Sequence, residues 1–122
     1  MTLVQEHRSQ VIDGAVVLVY PDALRVMFHP LGAGELVLEA RIADMSRQSA
    51  AQVGALCLRA LELAGQRPWQ HVQSIALNPE PAALLLHQWV SADCPVQDLE
   101  RQIDDFLSAL VGWRSAMELE AA

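Results

Sequence analysis

Residues 34–42, Gly34-Glu35-Leu36-Val37-Leu38-Glu39-Ala40-Arg41-Ile42, decide the fold because their side chains alternate cleanly in character. One face of this stretch would carry Leu36, Leu38, Ala40 and Ile42. The other face would carry Glu35, Val37, Glu39 and Arg41. A period of two is typical of a β-strand that buries one side. The stretch therefore predicts a half-buried strand.

Four further strands are predicted on either side of this one. A β-branched run over Ala15–Tyr20, a turn at Pro21-Asp22 and an alternating run over residues 23–29 indicate a hairpin. Residues 71–77 and 82–90, joined by Asn78-Pro79-Glu80-Pro81, indicate a second hairpin.

Two helices are predicted before the last one. Leu3, Val4, His7, Val11 and Ile12 fall at helical spacing, so a short helix is expected before Asp13-Gly14. A second helix is expected to be capped by Asp44 or Ser46 and to end at Gly65. Its apolar stripe consists of Val53, Leu56, Cys57, Ala60, Leu61 and Ala64. Gly54 within it costs helix stability, so we expect another element to pack closely there.

The last helix is expected to open at Pro95 and to carry a heptad stripe. The stripe consists of Val96, Leu99, Ile103, Phe106, Leu110, Trp113 and Met117. It could be core or a partner-binding surface, and core is favoured because the sheet needs one face covered. The predicted fold class is α+β, with an antiparallel sheet packed against helices. The predicted order is α-β-β-β-α-β-β-α within a single domain over residues 1–122.

Composition narrows the possible partners of the chain. Hydrophobic residues make up 52% of the 122 residues and charged residues 19%, which suggests a buried partner surface. The net charge of -7 would repel phosphate backbones, so nucleic acid is not expected as a partner. We expect no membrane span because apolar runs are short, and a soluble, cytoplasmic protein because no signal-peptide pattern opens the sequence.

No catalytic signature is found in the sequence. The four histidines, His7, His29, His71 and His87, fall in four different predicted elements, which argues against a metal site. His71 and His87 could meet across a hairpin, with solvated or hydrogen-bonded histidines as the expected outcome. Cys57 and Cys94 are expected to be free buried thiols, and Asp104-Asp105 to lie on a solvated helix face. We therefore predict no enzymatic activity, no metal and no cofactor.

Apolar side chains also occur opposite the predicted core face of the sheet. Met27, Val37, Leu85 and Trp89 occupy such positions. They could pack on the third predicted helix, remain exposed singly, or form a binding surface, and the sequence leaves these alternatives open.

With this order of elements, the chain resembles the class I type III secretion chaperones, the Tir chaperone or CesT-like family. The most recognisable stretches are residues 34–42, Ser74-Ile75-Ala76-Leu77-Asn78-Pro79 and residues 106–114, Phe-Leu-Ser-Ala-Leu-Val-Gly-Trp-Arg. The resemblance covers nearly the whole chain from Ala15 onward. The first helix of the family is usually longer than the segment before Asp13 allows.

The resemblance implies a function as well as a fold. It implies a homodimer in the cytoplasm of a Gram-negative bacterium that binds the amino-terminal segment of a secreted effector and keeps it soluble and ready for export. By analogy the effector would contact Val17, Val19, Met27 and Val37. The dimer interface would involve Leu56, Arg59, Leu63, Val72 and Ser74. A chaperone-like regulator that sequesters another regulator of secretion, and a small-ligand-binding α+β domain, remain as alternatives.

Overall fold

The computed structural model describes residues 8–12, 15–21, 24–66, 73–91 and 93–117. These residues form six strands and two helices. In chain order they are β1 (Arg8–Ile12), β2 (Ala15–Tyr20), β3 (Leu24–Gly32), β4 (Glu35–Asp44), α1 (Ala50–Gln66), β5 (Gln73–Pro79), β6 (Ala82–Ser91) and α2 (Val96–Ala116). The predicted α+β class and the element order from Ala15 onward are confirmed.

All six strands belong to one antiparallel sheet in the order β1-β2-β3-β4-β6-β5. The chain leaves the sheet after β4, forms α1 and returns at the far edge as β5. The turn between β3 and β4 uses three residues with positive φ, Gly32 (78°), Ala33 (51°) and Gly34 (74°). Glycine adopts this left-handed backbone without a Cβ clash, which explains why two of the three residues are glycine.

Helix α2 covers one face of the sheet. Its side chains Ile103, Phe106, Leu107, Leu110 and Trp113 are buried, and Met117, just after the helix, is buried too. They share one core cluster with sheet residues Leu24, Val26, Leu38, Ala40, Ile42, Leu84, Leu86 and Val90. The stripe from residue 99 to residue 117 is therefore core, as favoured from the sequence. Val96 departs from the prediction because it is 70% exposed.

The predicted first helix is wrong over Arg8–Ile12, which form β1 and pair with β2 in the register Ile12↔Ala15 to Arg8↔Val19. A strand satisfies its backbone groups by pairing with an exposed sheet edge, and β-branched Val11 and Ile12 favour that conformation. Two residues, Asp-Gly, separate the paired ends, and this dipeptide is a strong hairpin signal. Leu3, Val4 and His7 lie outside the described residues.

The start of α1 differs from the prediction. Ser49 Oγ accepts a hydrogen bond from the Gln52 backbone N–H at 3.2 Å, and Gln52 Oε1 accepts one from the Ser49 N–H at 2.9 Å. This reciprocal pair is a capping box, so Ser49 caps the helix rather than Asp44 or Ser46. Asp44 instead accepts bonds from the Ser46 backbone and hydroxyl at 3.0 and 2.7 Å.

Two glycine predictions in α1 also need correction. A Cβ built on Gly54 would meet nothing within 4 Å among the described residues, so no described element packs closely there. Gly65 lies within the helix, which continues to Gln66. No helix in the part of the chain that the structure describes is long and apolar enough to cross a membrane.

Candidate partner-binding surface

The sheet has a second face, opposite the one that packs with α2. Strand pairing places its side chains in cross-strand rows, such as Val17–Met27–Glu39–His87 and His29–Val37–Trp89. We call this surface the outer face and define it by Val17, Val19, Arg25, Met27, His29, Val37, Glu39, Arg41, Ala83, Leu85, His87 and Trp89. None of these residues belongs to the described core cluster that α1 and α2 join.

The four residues predicted to contact a partner all lie on the outer face. Val17 pairs with Met27 across β2 and β3, and Val19 lies two residues further along β2. Val37 lies between His29 and Trp89 across β3, β4 and β6. Val17 is buried, whereas Val19, Met27 and Val37 are half-buried. The structure thus brings the four together, and their role in binding stays a prediction.

A cavity of about 420 Å³ opens on the outer face. Its lining consists of Val17, Arg25, Met27, Glu39, Ala40, Arg41, Asn78, Pro81, Ala83 and Leu85. The turn between β5 and β6 supplies Asn78 and Pro81, and Asn78 Nδ2 donates to the Pro81 carbonyl at 2.9 Å. This turn therefore forms a wall at one end of an otherwise open face.

A polar cluster occupies the middle of the outer face. Glu39 Oε1 lies 2.8 Å from His87 Nε2, and Glu39 Oε2 lies 3.3 Å from His29 Nε2. Both oxygens of the carboxylate are thus engaged by imidazoles from the neighbouring strands β6 and β3. Sequence reasoning missed this cluster because it depends on strand register, which brings residues 39 and 87 side by side. The predicted alternative of a hydrogen-bonded His87 is confirmed, with Glu39 as the partner, and His71 lies outside the described residues.

Two arginines on the neighbouring strands β3 and β4 line the cavity. Arg25 is exposed and forms no ion pair with a described residue, and Arg41 reaches Asp44 at 3.5 Å. The Arg41 and Asp44 side chains are 54% and 55% exposed, so that ion pair is weakly held. Asp44 itself is held mainly by Ser46, whose hydrogen bonds lower the pKa of the carboxyl.

At the far end of the outer face, Trp89 is 62% exposed. It borders a cavity of about 270 Å³ beside the β3–β4 turn, with Glu35, Ser91 and Asp93 among the lining residues. A Cβ on Gly34 would lie 3.1 Å from Asp93 Oδ2, so a larger residue there would require the Asp93 carboxylate to shift. Trp89 therefore remains accessible at the rim of the face.

The predicted dimer residues that the structure describes do not form one exposed patch. Leu56 and Leu63 are half-buried and pack on the protein's own core. Arg59 donates to the Ala116 carbonyl at 3.1 Å, and Ser74 is exposed on β5. Val72 lies outside the described residues. The outward side of α1 instead carries leucines that sequence reasoning did not assign to an interface.

These leucines are Leu58, 59% exposed, and Leu61, 64% exposed. Leu61 had been expected in the buried stripe of α1, and its exposure corrects that prediction. Spacings of four, three and four residues place Gly54, Leu58, Leu61 and Gly65 on one helix face. The signal available in the sequence was the occurrence of apolar residues on both sides of the helix.

The remaining titratable groups in the described ranges lie apart from one another or in pairs. No cluster of three or more His, Cys, Asp or Glu residues there could hold a metal ion. Cys57 and Cys94 are free thiols and are half-buried. Asp105 is exposed as predicted, whereas Asp104 Oδ1 is buried without a hydrogen-bond partner, so the solvated-face prediction fails for Asp104.

The fold is shared with solved structures of secretion chaperones. One match is a chain of the HopA1–SchA chaperone–effector complex, at 15% sequence identity and a TM-score of 0.58, covering 92% of this chain and 84% of that one. Another is a chain of the Yersinia pestis type III secretion chaperone SycH in complex with a stable fragment of YscM2, at 18% identity and a TM-score of 0.57, covering 96% and 90%. No protein-family model and no curated protein matches the sequence. The predicted resemblance in fold to type III secretion chaperones is confirmed.

Proposed function

We propose that the chain is a type III secretion chaperone that binds the amino-terminal segment of a cognate effector in the bacterial cytoplasm. The observation that carries this proposal is the outer face, a sheet surface that lies outside the core and presents Val19, Met27, Val37 and Trp89. An extended segment can place alternate side chains on such a surface while its other side chains face water. Bound in this way, the effector stays soluble and unfolded until export.

The shared fold supports this proposal over an enzymatic one. The matched complexes contain a secretion chaperone or a chaperone with its effector. The described residues of this chain offer apolar surface, one carboxylate between two imidazoles and two arginines. The proposal therefore assigns binding to the outer face and assigns no reaction or cofactor to the chain.

Homodimer formation is part of the same proposal. Leu58 and Leu61 give α1 an apolar outward side, and the glycines at positions 54 and 65 leave room beside them. A second copy of the chain would bury these leucines by packing α1 against its symmetry mate. The interface predicted at Leu56, Arg59, Leu63, Val72 and Ser74 would then border this stripe, with Ser74 on the adjacent edge strand β5.

The effector proposal is tested by isolating the partner and mapping its contact. Tagged protein is purified from its native host, co-purified proteins are identified by mass spectrometry, and the amino-terminal segment of the candidate effector is titrated by calorimetry. We expect Met27→Asp and Val37→Asp each to weaken binding at least about tenfold, since each buries a charge in an apolar contact. Val96→Asp, which adds the same charge at a 70% exposed position of α2, is the matched control.

The competing functions predict different results in this experiment. A chaperone-like regulator would co-purify with a protein that is not secreted. A small-ligand-binding domain is favoured by one observation, the cavity that carries Arg25 and Arg41, and would bind a free anionic metabolite with no protein partner. Equal binding of the segment by the two aspartate variants and the native chain would refute the outer face as the effector site.

A further inference from the structure

The cavity on the outer face combines an apolar lining with two positive charges. Val17, Met27, Ala83 and Leu85 supply the apolar side, and Arg25 and Arg41 supply guanidinium groups. Resting on the proposed function, we propose that the bound segment places an acidic side chain at Arg25 and Arg41 and an apolar side chain against Met27. The partner would thus carry an apolar and an acidic residue two positions apart.

The described residues neutralise the charge at this site only in part. Arg25 has no ion pair within the described residues, and Arg41 has only the exposed contact with Asp44 at 3.5 Å. Glu39, the one acidic residue among the described residues that line the cavity, has both oxygens engaged by His29 and His87. The two arginines therefore remain available for a carboxylate from outside.

The site is positively charged, whereas the chain as a whole is negatively charged. The net charge is -7, so the long-range field disfavours acidic partners. Two like charges on neighbouring strands are unfavourable without an anion to offset them. A carboxylate at Arg25 and Arg41 would relieve this repulsion, and arginine can bind it through two parallel hydrogen bonds. The local arrangement thus selects for an acidic side chain at one point of an otherwise apolar contact.

The spacing of the pattern follows from strand geometry. Side chains at positions i and i+2 of an extended segment point to the same side and lie about 7 Å apart. Arg41 and Glu39 stand in the same relation on β4, and Leu85 pairs with Arg41. A segment that follows β4 would therefore place one side chain near Arg41 and the next same-side chain over Glu39, beside Met27.

The occupant is a protein segment rather than a small molecule. Beyond the cavity and the polar cluster around Glu39, the outer face presents further apolar side chains, Val37 on β4 and Trp89 on β6. The distance from residue 41 to residue 37 along β4 is about 14 Å for an extended chain. A single side chain or a small acid would leave that part of the face uncovered, whereas an extended segment covers it.

The proposal is tested with a phage-displayed library of random nonapeptides selected on the folded, full-length protein. We expect enriched peptides to carry an apolar and an acidic residue two positions apart, in one consistent order, and their binding to be lost in Met27→Asp. Replacing the acidic residue by its amide should weaken binding about tenfold, as should Arg25→Glu. An Arg25→Glu selection should enrich Lys or Arg at the same position. Arg101→Glu on α2, where Arg101 is paired with Asp98, should leave the profile unchanged.

Other outcomes separate this inference from the proposed function. Peptides that need Met27 but show no acidic preference, or that bind Arg25→Glu equally well, overturn the inference and leave the function standing. Failure to select any peptide that depends on Met27 overturns both. Displacement of the peptides by millimolar free glutamate acting at Arg25 would assign the site to a small acid and overturn the inference. Thermal melting of Arg25→Glu checks that the variant is folded, and Arg25→Gln provides a second, uncharged variant.

Discussion

Glu39 Oε1 lies 2.8 Å from His87 Nε2 and links β4 to β6 across 48 residues of sequence. Both side chains are about a quarter exposed, at 23% and 25%. A hydrogen bond in such a position contributes about 1 kcal/mol to the free energy of unfolding. We expect Glu39→Gln to lower that free energy by up to about this amount, and a double-mutant cycle with His87→Ala to give a coupling of similar size.

Urea denaturation at neutral pH measures both quantities. Glu35→Gln is the matched control, because Glu35 lies on the same strand, is exposed and has no hydrogen bond to a described side chain. It should change stability by less than about 0.5 kcal/mol. A coupling energy near zero would mean that the Glu39–His87 contact does not stabilise the sheet.

Phe106 tests whether the last helix is core. Its side chain is fully buried at 0% exposure, in contact with the cluster that joins α2 to the sheet. We expect Phe106→Ala to cost about 3 to 5 kcal/mol and to lower the melting temperature whether or not a partner is present. Calorimetry compares the melting temperatures of Phe106→Ala and of the control Val111→Ala. Val111 is 48% exposed, so its truncation should have a much smaller effect. An unchanged melting temperature with lost partner binding would show that the helix stands away from the sheet.

The sheet and α2 could be predicted from the sequence because their signals are local and repeated. Alternation over residues 35–42 and the heptad steps from Leu99 to Met117 each report one buried face. The helix prediction for the first segment was wrong because five residues are too few to distinguish a helical period from a strand period. Pairing with the edge of β2 makes this segment a strand. Propensity is a weak guide where tertiary contacts compete with it.

The binding surface could be predicted only in part. Alternation places Met27, Val37, Leu85 and Trp89 opposite the core, so the sequence alone predicts this part of the surface. The Glu39 contacts with His29 and His87 depend on register across three strands, which no local pattern specifies. The exposure of Leu61 depends on how α1 is rotated against the sheet, and an apolar residue at the stripe's edge does not reveal that rotation.

Tyr20 makes stability sensitive to alkaline pH. Burial, followed by the charge of Asp104, raises the pKa of Tyr20 to about 12 from its usual 10.0. The unfolded chain therefore loses the phenolic proton first, so the stabilisation is complete below about pH 10 and is lost as pH rises to about 12. The full loss would be about 2 to 3 kcal/mol.

Tyr20→Phe is the control, because it removes the titrating group and should remove this part of the pH dependence. Tyr20 is the single tyrosine of the chain, so tyrosinate absorbance reports its ionisation directly. The difference in unfolding free energy between the two proteins, followed by urea denaturation across the alkaline range, gives the linkage. Equal pH profiles for the two proteins would contradict the shift.

Leu61 tests the proposed dimer. It is 64% exposed on the outward side of α1, so a charge there leaves the described core intact. We expect the native chain to have twice the monomer mass of 13.4 kDa by light scattering and Leu61→Asp to have the monomer mass. Val96→Asp, at 70% exposure on α2, should remain dimeric. A native mass of one chain at micromolar concentration would refute the dimer.

Substitution of Gly54 tests whether the outward side of α1 is open to solvent or buried in the dimer. A Cβ at this position meets nothing within 4 Å in the single chain, and alanine is favoured over glycine inside a helix by about 1 kcal/mol. In the monomeric Leu61→Asp background, Gly54→Ala should therefore raise the free energy of unfolding by about 0.5 to 1 kcal/mol. In the otherwise native chain the same methyl group would face the second α1, which approaches along Leu58 and Leu61, so dimer dissociation should become easier.

Urea denaturation of both pairs, with sedimentation equilibrium for the dimer, measures the two effects. If Gly54→Ala stabilises both backgrounds equally and leaves the dimer affinity unchanged, the interface does not include this end of the helix, and the second copy must contact α1 nearer to Gly65.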